Sequence, residues 1–353
     1  MPAVSVIVPV RNEAKTISSC LRSLLSQTMP PSEYEIIVVD GMSEDGSMAI
    51  MRELQVEMSN LVILKNPDRI MPAGMNIGLR HASSPVIMVA GAHATYPAHY
   101  LETCLKYLDK TGADIVGGPL LTAPRGSGFA SGMIASLLSS RFGVGNAAFR
   151  TGFREGWVDT VPYGAYRKKI FDHCGMYDED LVRAQDTELH ARIRHGGGRI
   201  YQTPELATYY YPVSTFPALW RKAFLDGKWQ YLAAVKNPQS FSLRRFVPVF
   251  MVLLLALSGL MAIFFSVIRV WIAAGILLYF FTGLYFGRSQ SGSGRLRTRL
   301  LLPFFAFPFH ACYGMGTLAG LWHIMRKAAS PKPISTTGPL GHSSGARSNE
   351  KTL

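Results

Sequence analysis

Acidic residues all but vanish from the last third of this 353-residue chain. From Gly227 onward there are 14 lysines and arginines and one acid, Glu350, whereas up to Asp226 the two signs balance at 22 each. The net charge of +13 is therefore local. Its basic residues flank long apolar runs, which points to an anionic lipid surface. A basic stripe interleaved with aromatics, the footprint of nucleic-acid binding, is missing. Cysteine is scarce as well. Cys20, Cys104, Cys174 and Cys312 are widely spaced and form no C-x-x-C pair, which argues against a zinc site and a disulfide framework and for a reduced, cytosolic setting of the soluble part. The start lacks a charged n-region followed by an h-region, so no cleavable signal peptide is expected. After the first apolar run stands Pro9-Val10-Arg11-Asn12-Glu13 instead of G-x-G-x-x-G, which argues against a Rossmann-type nicotinamide or flavin enzyme.

What is present in the first half is alternation. VSVIVPV (4–10), EIIVVD (35–40), 61–65, 86–90 and ADIVGG (113–118) read as strands, with helical patterns at 14–27 and 72–82. Strands alternating with helices predict an α/β fold, a mostly parallel sheet with helices on both faces. Ligands in such sheets bind beyond the carboxyl ends of the strands. A Gly- and Ser-rich stretch at 124–145 reads as a surface helix or as a mobile flap. Mixed α/β pattern resumes over 158–211.

The remainder is apolar. Residues 246–267 contain no charge and are long enough to cross ~30 Å of hydrocarbon at ~1.5 Å per residue. A second span, 270–286, follows after a turn at 268–269. The four arginines of 287–299 assign that loop to the cytosolic side. A third run, 300–322, is interrupted by Pro303 and Pro308, and either crosses or re-enters the bilayer. The expected organisation is a cytosolic domain over 1–230, an interfacial linker at 231–245, a membrane region at 246–326 and a disordered tail at 327–353.

Several residues have the chemistry of a site. Asp40 ends the second strand in VVDGMSEDGS, where a carboxylate accepts hydrogen bonds from a base or ribose, or else simply caps a turn. Arg69, in NPDR, offers a planar fork for a diphosphate or is merely solvated. Five acids crowd GMYDEDLVRAQDTEL (175–189), and Asp186 stands at a helix start, a place that suits either capping or a general base.

In order along the chain, VSVIVPVRNEAKTI, EIIVVDGMSEDGS, NPDRIMPAGMNIGL, AHATYP, VDTVPYGAYRKKIF and RAQDTELHARIRHGGGRI resemble the motifs of family 2 glycosyltransferases with the GT-A fold. The likeness covers about residues 3 to 230 and is strongest to the succinoglycan-type membrane-anchored glucosyltransferases. It implies that Pro9, Glu13 and Asp40 line a uridine pocket, with Arg69, Gly91 and Ala92 also on the nucleotide sugar. Asp186, after Gln185, would be the base that deprotonates the acceptor hydroxyl. Asp159, Gln185, Arg221, Lys222, Lys228 and Trp229 would lie on the acceptor side, the last four holding a diphosphate or anchoring to lipid. The implied partners are a UDP-sugar, a polyprenyl-diphosphate-linked saccharide, the lipid bilayer and other polysaccharide-assembly proteins, at the cytoplasmic membrane.

One motif departs from the family. Where D-x-D or D-x-H is usual, this chain has Gly91-Ala92-His93. The resemblance implies Mg²⁺ or Mn²⁺, yet a single imidazole suits these oxygen-seeking ions poorly. Three accounts follow: His93 and donor phosphates hold a metal, cations such as Arg69 replace it, or the domain binds a nucleotide sugar without turnover.

Overall fold

The computed structural model describes residues 1–152, 154–287 and 295–329. Its first part is a regular alternation: β1 (Val4–Val10), α1 (Ile17–Leu25), β2 (Tyr34–Asp40), α2 (Ser47–Glu57), β3 (Leu61–Lys65), α3 (Met71–His81) and β4 (Val86–Val89). Then come β5 (Ala94–Thr95), α4 (Tyr100–Thr111), β6 (Ile115–Gly117) and β7 (Leu120–Thr122). Three helices follow, α5 (Phe129–Ser139), α6 (Arg141–Val144) and α7 (Ala148–Thr151). The domain ends with β8 (Gly156–Trp157), β9 (Ala165–Arg167), α8 (Ile170–Cys174), α9 (Gln185–His195), β10 (Ile200–Gln202) and β11 (Thr208–Tyr210).

Eight strands form one sheet in the order β3-β2-β1-β4-β9-β6-β10-β8, with β9 antiparallel to both its neighbours. β5, β11 and β7 form a small second sheet. β1 and β2 are near-continuous apolar runs because helices cover both sheet faces. On one face α1 buries Ile17, Cys20, Leu21 and Leu24, a helical i, i+3, i+4, i+7 stripe. On the other, α3 contributes Met75 and Leu79 to the core. Register then positions the site. Val10 pairs with Asp40, Asp40 with Lys65, and Ile7 with Val89. Residues 11–13, 41, 66–69 and 91–93 thus emerge along one edge.

The stretch at 124–145 is neither a surface helix nor a free flap. Ile134, Leu137 and Leu138 of α5 are buried in a cluster with Leu219, Leu302 and Ala306, so α5 is wedged against the C-terminal helices. α10 (Phe216–Lys236) runs unbroken through residue 230, where the sequence predicts the domain to give way to a linker. Single helical turns at Pro238–Ser240 and Leu243–Arg245 complete that connection.

Among the described residues, two helices are long and apolar enough to cross a membrane, α11 (Val247–Phe264) and α12 (Ser266–Phe286). Only 6% of each apolar stretch is buried within the chain, so their apolar side chains face outward and mark this part as membrane-associated. The turn between them falls at Phe265 rather than at 268–269. Arg269 remains helical, its Nε donating to the Ala262 carbonyl at 3.1 Å. The third run differs more. α13 (Arg295–Ala329) is one 35-residue helix that carries Pro303 and Pro308 inside it. It packs along α10 so closely that a Cβ at Gly316 would lie 1.9 Å from the Phe224 carbonyl oxygen, and one at Gly227 would lie 2.0 Å from that of Tyr313. Residues 288–294 of the basic loop and 330–353 of the expected tail lie outside the described residues.

Candidate active site

A cavity of about 1120 Å³ follows the edge where the parallel strands end. Pro9, Glu13, Arg69, Gly91, Ala92 and His93 form its wall at the strand ends, and Gln185 and Asp186 stand opposite at the start of α9. From there it runs past Lys222 of α10 to Met251, Tyr279 and Phe309 of the apolar helices. One continuous space therefore joins the strand ends to the membrane-associated part.

All five non-glycine residues with a left-handed backbone, among those described, border this space or adjoin its wall: Asn12, Met42, Arg69, Tyr163 and Ala184. Such conformations cost of order 1–3 kcal/mol each and persist where the surroundings fix them. Asp40 is only 2% exposed, and both its oxygens accept the Ser43 N–H at 3.2 Å. It braces the loop behind the wall, while its neighbours Val39 and Gly41 form the wall itself. Asn66 is a wall residue that the sequence reading passed over. Its Nδ2 donates to the Ile70 carbonyl at 2.7 Å, and its buried Oδ1 has no partner among the described residues. Arg69 is half exposed, 3.6 Å from Glu44, and its carbonyl accepts from Arg11 Nη1 at 3.1 Å.

At the expected metal motif the geometry is specific. A Cβ at Gly91 would lie 2.4 Å from Cε1 and 2.6 Å from the hydroxyl oxygen of Tyr163, so that ring fills the space of a first acid. Tyr163 is pinned: its carbonyl accepts from the Tyr100 hydroxyl at 2.8 Å, and its ring meets Tyr96 edge-on. His93 is not free either, since Nδ1 lies 3.3 Å from Glu13 Oε1. Burial alone pushes the Glu13 carboxyl up, but His93, Thr16 and Arg125 together hold it below the usual range. Among the described residues no three His, Cys, Asp or Glu side chains are grouped to share an ion. One imidazole and one carboxylate, already paired to each other, do not make the oxygen-rich set that Mg²⁺ or Mn²⁺ prefers.

The acidic stretch resolves into one uncommitted group. Asp178 and Asp180 bind Lys236, Glu179 accepts from Asn76, and Glu188 pairs with Arg192 and Asn237. Asp186 makes no hydrogen bond or ion pair among the described residues, and it faces the cavity. Burial pushes its carboxyl up to about 6, near the value that suits a base at neutral pH. One turn on, His190 is fully enclosed between the Thr160 hydroxyl at 2.7 Å and the Tyr166 hydroxyl at 2.8 Å. Burial first, then Arg194 and Arg245, push its imidazole down to about 3, so it stays neutral.

The remaining candidates separate. Asp159 is 64% exposed and lies 3.9 Å from Arg194 and 3.8 Å from Arg244. With Arg245 these line a small polar cavity of about 140 Å³ beside Thr187. Gln185 is turned to the Met71 sulfur at 3.3 Å. Lys222 and Arg183 both bind Asp226 at the cavity wall. Arg221, Lys228 and Trp229 of α10 do not line that wall.

A mostly parallel sheet that gathers loops around an elongated cleft, with one free carboxylate opposite the strand ends, has the architecture of a nucleotide-sugar-dependent glycosyltransferase. The comparisons with known proteins agree. The model of the family described as "Glycosyl transferase family 2" matches residues 5–175. The succinoglycan biosynthesis protein ExoA of Rhizobium meliloti is 29% identical over 69% of this chain and 74% of its own length. A dolichyl N-acetyl-α-D-glucosaminyl phosphate 3-β-D-2,3-diacetamido-2,3-dideoxy-β-D-glucuronosyltransferase of Methanococcus voltae is 26% identical over 91% of this chain and 98% of its own. Among solved structures, a mannosyltransferase of Pyrobaculum calidifontis, in complex with GDP-Man and Mn²⁺, superposes with a TM-score of 0.62. It is 19% identical and covers 91% of this chain and 88% of that one. Residues 5–175 thus form a family 2 glycosyltransferase domain, and the fold is of the GT-A type.

Proposed function

We propose that this transferase moves a sugar, glucose being the first candidate, from a UDP-sugar to a hydroxyl of a polyprenyl-diphosphate-linked saccharide. The setting would be the cytosolic face of a multi-pass inner-membrane protein, in exopolysaccharide or cell-envelope synthesis. The observation that carries the reading is Asp186, the one uncommitted carboxylate of its stretch, on a cavity that continues to the apolar helices. Asp186 takes the proton from the acceptor hydroxyl. The resulting oxygen attacks the anomeric carbon from the face opposite the diphosphate, and the anomeric C–O bond breaks with its electron pair leaving on UDP. An α-linked donor thereby gives a β-glycoside. Relatives named for succinoglycan and dolichyl-linked glycans support a lipid-linked or polymeric acceptor. Arg194, Arg244 and Arg245, facing the single carboxylate of Asp159, suit the acceptor's phosphates.

The test is transfer of labelled sugar from UDP-sugars to polyprenyl-diphosphate glycans by membranes containing wild type or Asp186→Asn. Equal rates would remove Asp186 from the chemistry. A second reading, a silent scaffold of a polysaccharide assembly, draws on Gly91. UDP binding without turnover of any UDP-sugar would favour it. Restoring an acid by Gly91→Asp does not discriminate, because Tyr163 stands in the way.

A further inference from the structure

Closure of the Gly91 position by Tyr163 leaves the departing diphosphate in need of another positive partner. The wall beside it supplies a guanidinium. Arg150, on α7, borders the cavity with Gly91 and His93. Its guanidinium carbon stands 5.0 Å from the Tyr210 ring centroid and 5.5 Å from that of Phe149. Tyr210 in turn meets the His93 ring edge-on at 5.3 Å. Of the other arginines on this wall, Arg69, Arg183 and Arg244 each face a carboxylate, Arg11 and Arg245 donate to carbonyls, and Arg141 is exposed to solvent. Arg150 has no such partner among the described residues, and its Nη1 is buried without any hydrogen bond.

We infer that Arg150 binds the donor's diphosphate at the place where the family motif would put a divalent cation. A buried guanidinium nitrogen without an acceptor is costly, so its pairing with a ligand oxygen is strongly favoured. Two aromatic rings hold the guanidinium by cation–π attraction without accepting from any of its N–H groups. A guanidinium edge matches two phosphate oxygens at once, a geometry that an ammonium cannot reproduce. As the anomeric bond breaks, the charge growing on UDP meets a fixed cation that needs no reorganisation.

The inference rests on the chain being a nucleotide-sugar transferase, but not on uridine being the base. The experiment is calorimetric binding of UDP, GDP and uridine to the purified full-length chain, in EDTA and in Mn²⁺. UDP is expected to bind in EDTA within about twofold of its affinity in Mn²⁺. Arg150→Ala is expected to weaken it about 10- to 100-fold, Arg150→Lys less, with uridine unchanged in both. GDP binding in place of UDP, with the same loss in Arg150→Ala, upholds the arginine and overturns the donor assignment instead. Binding of neither nucleotide in EDTA, or an unchanged ratio of UDP to uridine affinity in Arg150→Ala, overturns the inference.

Discussion

The strand-end half of the cavity draws its wall from residues 9–93, four neighbouring strand ends held by parallel register. The half near the apolar helices draws on residues 120–313, which come from β7, β11, loops and the helices α5–α7 and α9–α13. The first is rigid by construction, a row of loops each only a few residues long. The second is assembled late along the chain, from segments that touch only once the C-terminal helices are in place. On the proposed reading the difference separates two kinds of specificity: the donor's nucleoside is met by local motifs, its diphosphate and the acceptor by a tertiary arrangement.

Asp186 sits between the two halves, and replacing it should have the largest effect. Asp186→Asn is expected to cut turnover about 10²- to 10⁴-fold, with UDP binding retained. Loss of UDP binding in the same variant would blur the division, and titration calorimetry beside an activity assay checks it. The pH profile comes next. With its carboxyl near 6, Asp186 is ionised at neutral pH, and activity should fall toward tenfold per unit as pH drops below about 6.

Linkage gives the same group a stability signature. A carboxyl whose folded value is raised stabilises the fold while protonated, and that contribution is lost as pH rises through about 6. Asp186→Asn should therefore melt at a higher temperature than wild type at pH 7.5, with the gap closing toward pH 4. A constant gap across that range would contradict the burial argument.

A smaller effect separates the acceptor end. Arg244→Ala with Arg245→Ala should raise KM for the lipid-linked acceptor about tenfold and leave KM for the UDP-sugar unchanged. Equal changes in both would show that the two halves are coupled. The smallest contrast lies within the donor end. Asn66→Ala should weaken UDP-sugar binding several-fold by removing the unpaired Oδ1, whereas Asp40→Asn should act mainly on stability, through the Ser43 turn. Paired KM and melting measurements distinguish them.

These contrasts follow what the sequence could carry. The strands, their order of appearance and the edge where motifs converge are legible because each rests on a run of a few apolar residues and its neighbours. Asp186 is legible as a helix-start acid, but its isolation is not. That depends on Lys236, Asn76 and Asn237 claiming the other acids. The Gly91–Tyr163 contact is invisible for a similar reason: it requires β4 and β9 to lie antiparallel, with the Val89 N–H on the Gly164 carbonyl at 3.0 Å. Residues 231–236 read as the start of a linker because the partner that makes α10 a packed helix begins nearly sixty residues after α10 ends.

The near-contact of α10 and α13 has a mechanical meaning. Glycines at 227 and 316 let two backbones touch, so the helix that borders the cavity is coupled directly to the helix that packs on α11 and α12. The wall that carries Lys222 and Asp226 and the helix that lies against the apolar pair are thus two sides of one bracket, and a displacement of either is passed to the other.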